Sequence, residues 1–330
     1  MKTVTLDDLQ TLYLPAPDSH KGQNGKLLII GGSHLFHAAS LWALKVASRI
    51  VDLVHYSSVP ENNEIVKKVK EEFRDGIVVP RSEVESYIEE DDVILIGPGM
   101  VRFETPNPKH QTPNKIKIQN LKELEMIEDE GVQTAVLANF LLKKYPHKQW
   151  VIDAGALQMM DVELIPNNTI LTPHRREFVR LWENSGRIKN YELRIMNKGN
   201  EEEQLLEMVK LFAQRHECIV LVKGETDIVC NGVEARGRIC APGECREIRG
   251  GNAGMTKGGT GDVLAGLIAA LTCKNDPFLA TIAGSFINKK AGESLFKQVG
   301  YYFNASDLAD EIPKVMKVLV RDRKLIPELS

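Results

Sequence analysis

Residues Gly251–Thr272, GNAGMTKGGTGDVLAGLIAALT, set three glycines (Gly258, Gly259 and Gly261) and one carboxylate (Asp262) directly before an apolar run. The glycines leave backbone N–H groups unshielded, and the run from Asp262 to Leu271 reads as a helix whose amino-terminal dipole favours negative charge. The stretch, with Thr260 inside it, therefore reads as an anion hole. A lone Asp before an apolar run is ordinarily a helix cap. A cap needs no glycines, however, and three within four residues favour the anion hole. A carboxylate in such a hole repels phosphate, so Asp262 must do something other than bind it. Taking the proton from an attacking hydroxyl, while the hole holds the charge of a transferred phosphoryl group, accounts for both features.

Outward from that stretch, short apolar runs alternate with longer amphipathic ones, the pattern of parallel strands joined by crossover helices and hence of an α/β fold. KLLIIGG (Lys26 to Gly32), VILIGPG (Val93 to Gly99), WVIDAGA (Trp150 to Ala156) and CIVLVKG (Cys218 to Gly224) read as buried strands that run into glycine, the third by way of Asp153 and Gly155. Ligands of open α/β sheets bind at the carboxyl ends of strands, so these glycines mark one edge of the sheet. Helices are expected over Ala38 to Arg49, Asn62 to Arg74, Val132 to Lys144, Glu201 to Gln214, Asp262 to Leu271 and Ala280 to Phe296.

The whole chain, 330 residues with 43% hydrophobic content, reads as one domain. Arg102 to Lys117, RFETPNPKHQTPNKIK, has three prolines and no apolar periodicity, and reads as a surface insertion. A net charge of −3 argues against non-specific nucleic-acid binding. The amino terminus has no apolar signal segment. The longest apolar run, near Val263 to Leu271, is far below the roughly 20 residues of a membrane span, so a cytoplasmic protein is expected. The five cysteines (Cys218, Cys230, Cys240, Cys245, Cys273) form no C-x-x-C and read as reduced thiols.

Three further strand ends carry candidate chemistry. LVKGETDIV places Lys223 and Gly224 at a tip, with Glu225, Thr226 and Asp227 in a tight turn; a hairpin with a solvated lysine is the plainer reading. ILTPHRREF places His174 after a proline, where capping is the commoner role of a histidine. GGSHLFHAAS brings Ala38, Ala39 and Ser40 behind Gly31 and Gly32, small enough either for a flat ligand or for close helix packing.

Read in order, HKGQNGKLLIIGGS, ILIGPGM, IDAGAL, ILTPHRREF, VKGETDIV, NAGMTKGGTGDVLAG and AGESLF … NASDLADEIP resemble the NAD(P)H-hydrate dehydratases, across His20 to Pro313. That resemblance implies a ribokinase-like three-layer α/β/α fold with a mainly parallel sheet. It implies phosphorylation of the hydroxyl on a hydrated nicotinamide ring by ATP or ADP with Mg2+, then loss of phosphate to restore NADH or NADPH. Asp262 would be the base. Gly258, Gly259, Thr260 and Gly261 would surround the phosphoryl group, Lys223 to Asp227 would face the nucleotide, and Ala39, Gly99, His174 and Asp262 would line the hydrated dinucleotide (NADHX or NADPHX). No protein-only metal cage is read. A homo-oligomer, with a tetramer as one arrangement, and a separate epimerase protein are implied as well, because the epimerase domain fused in some relatives is not seen here.

The chain departs from the family pattern at Val101, where a glycine is usual, at Gly155, where an Asp is usual, and at Lys257, usually small or uncharged, which would add a phosphate contact or change the anion that fits. Two other functions fit parts of the pattern. One is a kinase of a vitamin precursor or sugar, which would keep its phosphorylated product; the other is a nucleotide-binding sensor without turnover. TPH-x-x-EF with IDAGAL favours the dehydratase over the first, and the presence of Asp262 favours an enzyme over the second.

Overall fold

Among the described residues ten strands form one sheet: β1 (Lys2–Thr3), β2 (Lys26–Ile30), β3 (Leu53–Ser57), β4 (Ile77–Val78), β5 (Val93–Ile96), β6 (Gln149–Ile152), β7 (Ile170–Leu171), β8 (Ile219–Val222), β9 (Asp227–Asn231) and β10 (Cys245–Ile248). The computed structural model describes residues 1–69, 73–103, 116–185, 200–233 and 243–321. Most of the 102–117 insertion, and Cys240, lie outside the described residues.

The order across the sheet is β1-β10-β9-β8-β7-β6-β5-β2-β3-β4. From β4 to β8 every pairing is parallel, whereas β9 runs antiparallel to both β8 and β10. Leu27–Ile30 of β2, and all of β5 and β8, are unbroken Val, Ile and Leu runs for the reason such strands usually are: helices cover both faces. Successive side chains point to opposite faces. Leu27, Ile29 and Leu95 accordingly enter one core with Val263 and Leu267, while Leu28, Ile30, Ile94 and Ile96 enter the other with Trp150 and Phe178. His37–Ala47, Thr260–Thr272, Pro277–Val299 and Ala305–Arg321 are helices that pack together over the first core; Glu130–Lys144, Arg175–Asn184 and Glu201–Arg215 supply residues of the second. The fold is a three-layer α/β/α arrangement of the ribokinase-like kind.

β2 leads outward to β3 and β4, and the chain then returns to β5 on the other side of β2. This reversal is a topological switch point, and ligands of open α/β sheets bind at such points, here at the carboxyl ends of β2 and β5. The four strands expected are present, each ending before its glycine or Asp153, and the expected helices appear with shifted ends. The helix expected over Asn62 to Arg74 is Pro60–Val69 among the described residues. Among the described residues no helix is long and apolar enough to cross a membrane.

The cysteines depart from expectation. Cys230 and Cys245 form a disulfide, because the antiparallel register of β9 and β10 sets them directly opposite each other, with Cα atoms 4.2 Å apart. Cys218 and Cys273 are free. The sequence spacing concealed this pair because β10, CREI, is short and half charged and does not read as a strand.

Candidate active site

The glycine loop and the helix it opens are shaped by contacts that exclude side chains. Gly259 is the helix cap and has φ +93°; a Cβ there would lie 2.3 Å from the ring of Trp42. Gly266, further along, packs against the backbone of Ala43, so this helix runs close along the one that carries Ala39. Thr260 turns its hydroxyl inward, donating to the carbonyls of Met255 (2.6 Å) and Lys257 (2.9 Å). Gly258 has open space around it, and Gly261 and Asp262 stand in the first turn, where helix N–H groups lack intrahelical partners.

Asp262 does not stand alone. A Cβ at Gly261 would lie 3.3 Å from Lys223 Nζ, which in turn donates to Asp153 Oδ1 at 2.9 Å. Asp153 is buried at the end of β6, immediately before the helix Ala154–Met159, and Glu177 is buried in the first turn of Arg175–Asn184. Three carboxylates thus share one ammonium. Burial opposes the charge of Lys223, but Asp153 and Glu177 outweigh it and raise its pKa. Burial first, and the charge of Asp153 next, push Asp262 up to about 7 against the pull of Lys223. A carboxyl poised there can exchange a proton near neutral pH, which is what a general base needs. Lys223 is therefore both the hairpin-tip lysine read from the sequence and the partner of an aspartate that reading missed.

A cavity of about 1040 Å³ opens beside Lys223 and Gly261, lined also by His174, the turn Gly224–Asp227, the loop Arg249–Asn252, Asn288 and Lys289. Glu225 and Thr226 are exposed on its wall. Asp227 lines the cavity as well, and it accepts from Gly224 N (2.8 Å) and Ser285 Oγ (2.7 Å), which shapes the turn from within. Arg249–Asn252 is held by the helix Pro277–Val299: Gly251 N donates to Glu293 Oε1 and Asn252 Nδ2 to Gly292 O. Buried Asn288 keeps Oδ1 without a hydrogen-bond partner. Sequence reading passed over Asn288 and Lys289 because they lie in a long helix of otherwise ordinary pattern.

At the switch point, Gly32 N donates to Pro98 O, and a Cβ at Gly99 would lie 2.9 Å from Ala39 Cβ. Ala39 and Gly99 are thus neighbours at the switch point. His174 lies instead on the wall of the large cavity, joined to Lys223 by a parallel bridge. It caps its helix, Nδ1 accepting from Arg176 N (3.1 Å) and Glu177 N (3.2 Å), so the ring proton sits on Nε2 in the neutral form. Capping and lining are both its roles. Among the described residues no group of three or more His, Cys, Asp or Glu is placed to hold a metal ion.

The family profile described as NAD(P)H-hydrate dehydratase matches residues 27–314. The chain belongs to the NAD(P)H-hydrate dehydratase family. It is 33% identical over 321 residues to the bifunctional NAD(P)H-hydrate repair enzyme Nnr of Methanocaldococcus jannaschii, covering 94% of this chain and 52% of that one. It therefore spans about half the length of such bifunctional relatives. It is 30% identical over 305 residues, and 91% of both chains, to the ADP-dependent (S)-NAD(P)H-hydrate dehydratase of Nitrosopumilus maritimus. Among solved structures, the ADP/ATP-dependent NAD(P)H-hydrate dehydratase of Bacillus subtilis, co-crystallized with ATP/Mg2+, superposes with a TM-score of 0.66 at 20% identity, over 96% of this chain and 98% of that one, a likeness of fold.

Two of the chain's departures from the dehydratase pattern have structural explanations. Lys257 is engaged elsewhere than at the phosphate contact expected of it: Nζ donates to Tyr301 O and to Phe303 O (2.6 Å) and lies 5.3 Å from the centre of the Phe303 ring. It straps the loop after Pro277–Val299 to the glycine loop. Gly155 is buried with a Cβ position only 2.1 Å from Met100 O, so the Met100–Val101 backbone fills the space that an Asp side chain would need. The Gly155→Asp variant is accordingly expected to lose about 1–3 kcal/mol, the usual cost of overpacking. Adding Val101→Gly should restore part of that loss by freeing the backbone. Thermal unfolding of the single and double variants decides it; an unchanged midpoint for Gly155→Asp would break the link between the two departures.

Proposed function

We propose that the chain catalyses nucleotide-dependent dehydration of hydrated NADH or NADPH. The observation that carries this reading is Asp262, ionising near 7 in the first turn behind a phosphate-ready glycine loop, on a helix packed along the one that bears Ala39 at the switch point. In this scheme the dinucleotide lies against Gly32, Ala39 and Gly99, and the nucleotide fills the large cavity with its terminal phosphate at Gly258–Gly261. Asp262 accepts the proton of the ring hydroxyl as that oxygen attacks phosphorus, and the bond to the leaving nucleotide breaks. The N–H groups of the first helical turn and Lys223 meet the charge on the phosphoryl oxygens. The ring nitrogen lone pair then expels phosphate, which departs with the C–O electron pair and leaves an iminium, and loss of a proton from the adjacent ring carbon to solvent restores the C=C bond and the neutral dihydronicotinamide. The described residues do not form a cage for Mg2+. Such an ion would find its ligands on the nucleotide phosphates, and no step here runs through it.

The ADP-dependent enzyme of Nitrosopumilus maritimus, aligned over nine-tenths of both chains, supports the substrate assignment and makes ADP the first donor to try. The test mixes purified protein with hydrated NADH, magnesium and either ADP or ATP, and follows the return of NADH absorbance together with the nucleotide products. Stoichiometric return of NADH, phosphate and AMP or ADP is expected. A phosphorylated product that accumulates without NADH would make the protein a small-molecule kinase; nucleotide binding without any turnover would make it a sensor.

A further inference from the structure

Lys289 sits in the middle of the helix Pro277–Val299 with a side chain only 7% exposed, although it lines the large cavity. Its ammonium donates to three backbone carbonyls, Gly224 O at 3.1 Å, Glu225 O at 2.9 Å and Gly250 O at 3.4 Å, and stands 3.3 Å from Asp227 Oδ1. An ammonium has three protons, so four oxygens exhaust it and none is left for a phosphate. Three neutral carbonyls and one carboxylate around a single positive charge replace a hydration shell in the way that carbonyl rings do for alkali cations. The oxygens come from both rims of the cavity, the turn between β8 and β9 and the loop after β10. Without a cation between them the three carbonyls and the buried Asp227 carboxylate would face one another with no shared counter-charge, which is costly for the buried carboxylate.

We propose that Lys289 is a built-in monovalent cation of the nucleotide site. It closes the two rims around one charge and makes nucleotide binding independent of dissolved monovalent cations. The proposal rests on the reading of the large cavity as the nucleotide site. Lys289 touches no reacting atom in this scheme and is a positioning residue.

Calorimetric titration of ADP and ATP into the wild type, Lys289→Ala and Lys289→Met tests it, at constant ionic strength in sodium, potassium, ammonium or methylammonium chloride, with circular dichroism to confirm folding. The wild type should bind equally well in all four salts. Both variants should bind at least ten-fold more weakly in sodium. Ammonium or methylammonium should restore the Ala variant saturably, but not the Met variant, whose stem fills the space. A wild type whose affinity rises several-fold with potassium or ammonium overturns the proposal. So does a Met variant that binds like wild type in sodium, or a folded Ala variant that stays weak in every salt. If the Ala variant does not fold, the Met variant and the wild-type salt series still decide. A wild type that binds neither nucleotide removes the underlying reading instead, and so separates the two failures.

Discussion

Asp262→Asn should cost ~10²–10⁴-fold in the turnover of hydrated NADH while leaving ADP or ATP binding nearly intact, the range a lost general base produces. The amide has the same shape, so the glycine loop and the first helical turn keep their geometry; what is lost is a proton acceptor. In the wild type the base must be ionised to act, and burial together with Asp153 places its pKa at about 7. The rate should therefore rise with pH through neutrality and level off above it, and the Asn variant should lack that limb. Stability should move the other way. The folded-state pKa lies above the ordinary 3.8, so the native state binds more protons than the unfolded chain between those values and stability falls as pH rises through that window. Removing the carboxylate should raise the unfolding midpoint at pH 8 and hardly change it near pH 4. Near-normal turnover by the Asn variant would refute the base assignment, and a variant less stable at pH 8 would refute the account of its pKa.

The parts of this site that were legible in sequence are those where chemistry needs a residue type at a fixed spacing. Gly258, Gly259, Gly261 and Asp262 announce themselves because a helix cap needs none of the glycines, and the structure adds the particular neighbour, Trp42, that forbids a side chain at Gly259. The strands were legible for a similar reason: KLLII, VILI and IVLV are apolar because both faces are covered. What stayed hidden depends on contacts between distant segments. Asp153 follows a strand and looks like part of it until β6 and β8 are set on either side of β7, which lets Lys223 reach it across 70 positions. Lys289 beside Lys290 looks like a solvated helix face, yet Lys290 pairs locally with Glu293 while Lys289 is buried under the turn Gly224–Asp227. Cys230 and Cys245 are 15 positions apart, and only the register of a hairpin that charge obscures makes them opposite.

Lys223→Met should be the most damaging substitution outside Asp262. Lys223 is the single ammonium among Asp153, Glu177 and Asp262, and it pairs directly with Asp153, whose side chain is 2% exposed against 20% for the lysine. Breaking one partner of a buried pair leaves an uncompensated charge and typically costs about 3–5 kcal/mol. The exposure of Lys223 toward the cavity places the expected loss at the lower end of that range. The carboxylates would respond by taking up a proton. Lys223 is the largest influence that lowers the pKa of Asp262, so without it that pKa should climb further above 7 and the ascending limb of the rate profile should move to higher pH, with at least a ten-fold loss at pH 7. The double variant Lys223→Met with Asp153→Asn separates the two roles of the lysine. Neutralising Asp153 removes both the stranded charge and the repulsion it exerts on Asp262, so stability and the position of the limb should return toward wild type. Turnover should not return with them, because the lysine ammonium that meets the phosphoryl oxygens in this scheme is gone. Unfolding midpoints and pH–rate profiles of the single and double variants check each part. A limb that stays in place in Lys223→Met would show that the lysine does not set the ionisation of Asp262, and full recovery of turnover in the double variant would show that its only task is to neutralise Asp153.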